Sequence, residues 1–99
     1  MINISEAEMS TVQEILRKYA PESEVRVFGS RVKGKIKPYS DLDLAFIEKA
    51  NMDSDLLMNL REAFQESSLP FRVDLVDYNN ASPEFRRIID RTSVPLVYK

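Results

Sequence analysis

Apolar residues near the start of the chain recur every three to four positions, at Met9, Val12, Leu16 and Tyr19, the spacing of one helix face. Ser5 precedes them, and Glu8 follows Ser5 at the spacing of a capping box, in which each side chain satisfies the other residue's free backbone N–H. Pro21 closes the helix. Val25 to Phe28 is a β-branched and aromatic run that stops at Gly29, which predicts a strand. Ser30 to about Lys35 has room for one or two helical turns, and Pro38 prevents their continuation. Asp41 to Ile47 predicts a second strand. A helix then opens at Asp53 or Ser54, with Leu57, Leu60 and Phe64 on one face. Phe71 to Val76, introduced by Pro70, predicts a third strand. Ser82-Pro83 reads as a cap followed by a first-turn proline, with Phe85, Ile88 and Ile89 facing inward, and Val94 to Tyr98 adds a short extended piece. The order αβ(α)βαβα predicts an α/β (α+β) fold, a small mixed sheet with helices packed on it.

Length and composition narrow the chemistry. A chain of 99 residues is expected to form a single domain over residues 1–99 and to bury roughly 65% of its unfolded surface, too little for a deep closed active site. No repeat, linker or low-complexity tract divides it. With neither Cys nor His, thiol nucleophiles, Ser-His triads, imidazole bases and thiolate or imidazole zinc sites are excluded. Any metal must be a hard ion held by oxygen. The 14 basic and 16 acidic residues leave a net charge of −2, which argues against direct nucleic-acid binding. With no signal-like N-terminus and no run of the ~20 apolar residues a membrane span needs, a cytoplasmic protein without membrane contact is expected.

The chain has two glycines, so their placement is informative. Gly29, Gly34 and Lys35 match most of a phosphate-loop pattern, but Ile36 replaces the magnesium-binding hydroxyl and Pro38 breaks the helix that should follow. What remains is a strand ending in Gly29-Ser30, a basic segment containing Arg31, Lys33, Lys35 and Lys37, and then Ser40-Asp41-Leu42-Asp43-Leu44. Gly-Ser at the start of a helical turn offers backbone N–H groups and a hydroxyl to an anion. Residues two apart on a strand share a face, so Asp41 and Asp43 project together while the leucines enter the core. Two adjacent carboxylates call for a cation between them. Asp74, in the middle of an apolar strand, is the third acid that such a site wants. Asp77 competes with it, but a turn or cap explains Asp77 cheaply. Taken alone, each of these features has an ordinary structural explanation, a plain turn, an edge charge or a solvated basic loop. The combination is the specific signal.

Gly29-Ser30, Gly34, Ser40-Asp41-Leu42-Asp43 and Asp74 together resemble the signature of the DNA polymerase β-type nucleotidyltransferase superfamily, and the resemblance spans nearly the whole chain. With no room for a second domain, the chain is most similar to the minimal nucleotidyltransferases (MNT), antitoxin partners of HEPN-domain toxins. The resemblance implies transfer of AMP from ATP to a hydroxyl, expected to be a tyrosine, of a HEPN toxin in a type VII-like toxin–antitoxin pair. It further implies two Mg²⁺ ions, with Mn²⁺ as a substitute, held by Asp41, Asp43 and Asp74 as metal-binding and catalytic residues. Gly29, Ser30, Arg31, Lys33 and Ser40 would bind the nucleotide. The alternative is a non-catalytic module of the same fold that neutralises the toxin by contact.

Overall fold

A computed structural model describes residues 2–34, 36–48 and 52–99. The first helix, α1 (Glu6–Tyr19), starts at the expected capping box. The Ser5 N–H donates to Glu8 Oε1 at 2.9 Å and the Glu8 N–H donates to Ser5 Oγ at 3.1 Å. Strand β1 (Glu24–Phe28) and the short helix α2 (Ser30–Lys33) follow, and Gly34 ends α2 in the left-handed region. Next come β2 (Leu42–Ile47), α3 (Ser54–Gln65), β3 (Val73–Asp77), a 3₁₀ turn (Tyr78–Asn80), α4 (Pro83–Thr92) and β4 (Val94–Pro95).

The sheet order is β3-β2-β1-β4. Strand β1 lies antiparallel to both β2 and β4, whereas β2 and β3 are parallel. A parallel pair needs a crossover that carries the chain back, and α3 supplies it. The mixed sheet read from the sequence is therefore present.

Alternation along β2 separates the two faces of the sheet. Leu42, Leu44 and Phe46 are fully buried in one cluster with Val12 and Leu16 of α1 and Leu60 and Phe64 of α3. Ala45 belongs to the opposite face, in a cluster with Phe28 and with Ile89 of α4. Asp43 shares that second face, at its open end. Phe85 packs edge-to-face on Phe28 with ring centroids 5.6 Å apart.

Several details differ from the sequence reading. Ile88 is 43% exposed, because Ile89 and Phe85 already cover the sheet beneath α4. On α3, Leu56 rather than Leu57 packs against the main core. Strand β2 begins at Leu42, one residue after Asp41, and β3 runs Val73–Asp77 rather than Phe71–Val76. Every residue of β3 is only half-buried, since the strand is at the sheet edge, so Asp74 is not the buried acid its apolar neighbours suggest. Among the described residues no helix is long and apolar enough to cross a membrane.

Candidate active site

Strand register and one arginine place the acids near one another. Strand register pairs Asp43 of β2 with Asp74 of β3 on one side and with Phe28, the last residue of β1, on the other. Gly29, directly after Phe28, therefore sits beside the Asp43 side chain. A Cβ built on Gly29 would overlap Asp43 Oδ2 and lie 3.2 Å from its Cγ. Gly29 also has φ 83° and ψ −155°, a conformation essentially reserved for glycine. It is thus required twice, for backbone shape and for the space that the carboxylate fills. Gly34, at φ 101°, meets nothing within 4 Å.

This contrast is testable. Gly34→Ala is expected to cost about 1 kcal/mol, the left-handed penalty alone. Gly29→Ala carries strain of about 1–3 kcal/mol plus the displacement of Asp43, so its melting temperature should fall well below that of Gly34→Ala. Equal melting shifts for the two variants would contradict the close approach of Gly29 to Asp43.

Asp41 stands one residue before β2. Its Oδ2 is 3.1 Å from Nη2 of Arg72, and Nε of Arg72 lies 3.6 Å from Asp74 Oδ1. Burial pushes the Asp43 carboxyl up to about 6, helped by the negative charges of Asp74 and Asp41 and by hydrogen bonding with Asp74, against the pull of Arg72. Three carboxylates on neighbouring chain segments, one of them reluctant to ionise, form a site short of positive charge. As oxygen donors they suit a hard cation such as Mg²⁺ or Mn²⁺. Among the described residues no three acids yet converge as a closed metal site, and the Asp41 carboxylate faces Arg72 instead.

The remaining predicted residues separate into two groups. Ser30, half-buried, is the first residue of α2, directly after the Gly29 cap, and Lys33 is exposed on the same short helix. Arg31 is a correction. It is only 3% exposed, with Nε on Ser40 O at 2.9 Å, Nη1 on Asn3 O at 2.9 Å and Nη2 on Pro38 O at 3.1 Å. Its guanidinium also lies 4.0 Å from the centre of the Phe71 ring. Arg31 thus ties down the loop that leads to Asp41, with each of its three nitrogens turned to a backbone carbonyl. Ser40 belongs to the same scaffold, because its hydroxyl accepts from the Lys37 N–H at 2.9 Å. Lys35 lies outside the described residues. Asp77 accepts from the Met52 N–H at 3.1 Å, the Asn79 N–H at 3.2 Å and Asn80 Nδ2 at 2.9 Å, capping the 3₁₀ turn, apart from the acids. Sequence reasoning passed over Arg72. Its one signal was alternation, since it lies two residues before Asp74.

A family model, "Polymerase beta, Nucleotidyltransferase", matches residues 10–99. The chain belongs to the polymerase β-type nucleotidyltransferase family. A protein of Haemophilus influenzae named "Probable protein adenylyltransferase MntA" is 46% identical over 98 residues, covering 99% of this chain and 86% of that one. A chain in the crystal structure of a toxin–antitoxin with AMP-PNP is 25% identical, with TM-score 0.74, covering 92% of this chain and 73% of that chain. A chain from a complex of tri-AMPylated Shewanella oneidensis HEPN toxin with MNT antitoxin is alike in fold, at 24% identity and TM-score 0.69, covering 97% of this chain and 74% of that one.

Proposed function

We propose that this protein transfers AMP from Mg-ATP to a hydroxyl of a partner HEPN toxin, a tyrosine, and so acts as its antitoxin. The observation that carries the reading is the pairing of Asp43 with Asp74 across β2 and β3, with Asp41 linked to Asp74 through Arg72 and Gly29 against the Asp43 carboxylate. The adenylyltransferase name of the MntA relative supports a protein as acceptor, and the minimal nucleotidyltransferase signature supports the toxin class.

In the reaction, the acceptor oxygen bonds to the α-phosphorus of ATP, the bond from that phosphorus to the bridging oxygen breaks, and pyrophosphate leaves. Asp41, Asp43 and Asp74 would hold the magnesium ions, which supply charge neutralisation at the phosphates and acidify the attacking hydroxyl. Asp74, on the exposed edge strand, takes the proton of the acceptor, because without His a carboxylate is the available protein base. The Gly29 backbone and the Ser30 hydroxyl bind the β- and γ-phosphates, and Lys33 adds positive charge at the same end. A serine hydroxyl and a lysine in place before reaction stabilise charge that grows on the leaving group.

The test is the intact mass of the partner toxin after incubation with Mg-ATP. AMP-sized additions that disappear with Asp41→Asn are expected. Full neutralisation by that variant, with no mass change in either case, would instead favour the contact-only antitoxin.

Asp74 and Asp77 separate in the same assay. Asp74→Asn should slow transfer about 10²- to 10⁴-fold, the range for loss of a general base, with little change in melting temperature. Asp77→Asn loses part of a cap, costs about 1 kcal/mol of stability and should keep transfer within a few-fold of wild type. The opposite pattern would show that Asp77 is the third acid.

A further inference from the structure

The positive charge at the triad comes from the chain itself. Arg72 precedes β3, and its guanidinium spans from Asp41, at 3.1 Å, to Asp74, at 3.6 Å. It differs in kind from Arg31, whose fork is enclosed by carbonyl oxygens. The Arg72 side chain is 74% exposed, and among the described residues its ion-pair partners are the two carboxylates. It borders an open cleft of about 510 Å³ between the end of α3 and β3, lined also by Arg61, Phe64 and Leu69 and reaching Asp74. The guanidinium therefore has open space into which it can withdraw.

We propose that Arg72 is the resident counter-ion of the carboxylate triad, supplying the positive charge between Asp41 and Asp74 until a divalent cation takes those oxygens. Cation entry and Arg72 release are then one exchange. The inference rests on the metal-dependent reading above and adds to it a residue that sets how strongly the site competes for its ion.

The physical argument is exclusion. A guanidinium contacts carboxylate oxygens at about 2.7–2.9 Å, whereas Mg²⁺ needs them at about 2.1 Å in a nearly fixed geometry. The same oxygens cannot serve both, and a monovalent and a divalent cation at that range repel each other. Asp41 Oδ2 is engaged by Arg72 at 3.1 Å, so this carboxylate must give up that contact before the same oxygen can act as a ligand. Without Arg72, on the other hand, Asp41, Asp43 and Asp74 would repel one another with no charge between them. Exposure makes the arrangement workable. Solvent-exposed ion pairs are individually weak, so Arg72 holds the acids in place without locking them.

The experiment is titration with Mn²⁺ in the absence of nucleotide, with free ion followed by electron paramagnetic resonance and melting temperature measured in parallel. Arg72→Gln is expected to bind Mn²⁺ roughly three- to tenfold more tightly than wild type, the scale of a weak exposed pair. In chelator it should melt lower than wild type, and Mn²⁺ should close the gap. Arg72→Lys, which keeps the charge, should stay near wild type. So should Arg61→Gln, which removes the same charge from the same cleft without touching the acids. Unchanged or weaker Mn²⁺ binding by Arg72→Gln would overturn the proposal, because an arginine that merely supported the ligands would lower affinity when removed. Wild-type Mn²⁺ binding that is indifferent to Asp41→Asn would be a separate outcome. That result would overturn the metal reading itself and, with it, the exchange.

Discussion

Asp43→Asn is expected to give a chain that melts higher than wild type above pH 6 and transfers no measurable AMP. Both effects have one origin. Burial and the neighbouring Asp74 and Asp41 charges hold the Asp43 carboxyl at about 6, above the roughly 3.9 of an unfolded aspartate. Between those two values the folded chain binds the extra proton more tightly than the unfolded chain does. Its stability therefore falls as pH rises through this window, and the loss is complete above about 6. Asparagine carries no such proton. The variant should match wild type below about pH 4, pull ahead through the window, and keep a gain of about 1 kcal/mol at neutral pH once screening of a half-exposed group is allowed for. That corresponds to roughly 4–8 °C in a domain of this size. Melting curves in chelator from pH 4 to 8 measure it, and a gain that is the same at every pH would exclude the titration as its source. Loss of a carboxylate that would hold the metal should lower transfer about a thousandfold or more, read as adduct mass on the partner toxin. A variant that is stabilised but still active would place the chemistry elsewhere.

Replacing Arg31 should act in the opposite direction on stability, and its effect on activity should be indirect. Arg31→Ala leaves the carbonyl oxygens of Asn3, Pro38 and Ser40 without their donors and opens a void against Phe71. Hydrogen bonds to a charged donor are individually worth about 1.5–3 kcal/mol. The water that partly replaces Arg31 recovers some of this, and a net loss on the order of 3 kcal/mol is expected. That is about 12–24 °C in melting temperature. Arg31→Lys keeps the charge but lacks the planar fork that reaches three carbonyls at once, so it should recover less than half of the loss. Transfer should fall as well, because the loop that ends at Asp41 loses its anchor. This drop should appear mainly in the turnover rate, with the KM for ATP nearly unchanged, since each nitrogen of Arg31 is bonded to a backbone carbonyl. A raised KM at unchanged melting temperature would restore Arg31 to the nucleotide-binding set.

Local chemistry explains what was legible in the sequence. The capping box at Ser5 and Glu8, the Ser82-Pro83 start of α4 and the alternation of Leu42, Leu44 and Phe46 are signals within a few residues. Such short-range signals are imposed by backbone hydrogen bonding and side-chain period wherever the segment finally lies. Gly29 and Asp43 could be singled out because both lie on a motif in which glycine and acid spacing carries the meaning. The pairing of Asp43 with Asp74, by contrast, spans a crossover. It was inferred from the need for a third acid and acquired a location only through the parallel register of β2 and β3.

Burial and long-range partners were decided by the tertiary structure. Arg31 and Arg72 are both basic residues near the acids in sequence, and nothing in their immediate neighbours separates them. The fold buries Arg31 against Asn3, Pro38, Ser40 and Phe71, which come from three separate stretches of chain, and leaves Arg72 exposed at a sheet edge beside Asp41 and Asp74. Asp74 is likewise half-exposed because β3 has a neighbour on one side only, which its apolar flanks could not reveal. Chain-local pattern determined which elements form and which face of each is apolar. Strand order and packing alone decided which charged group is enclosed, which is exposed and which acids are neighbours, because electrostatics depends on distance through space and on access to water.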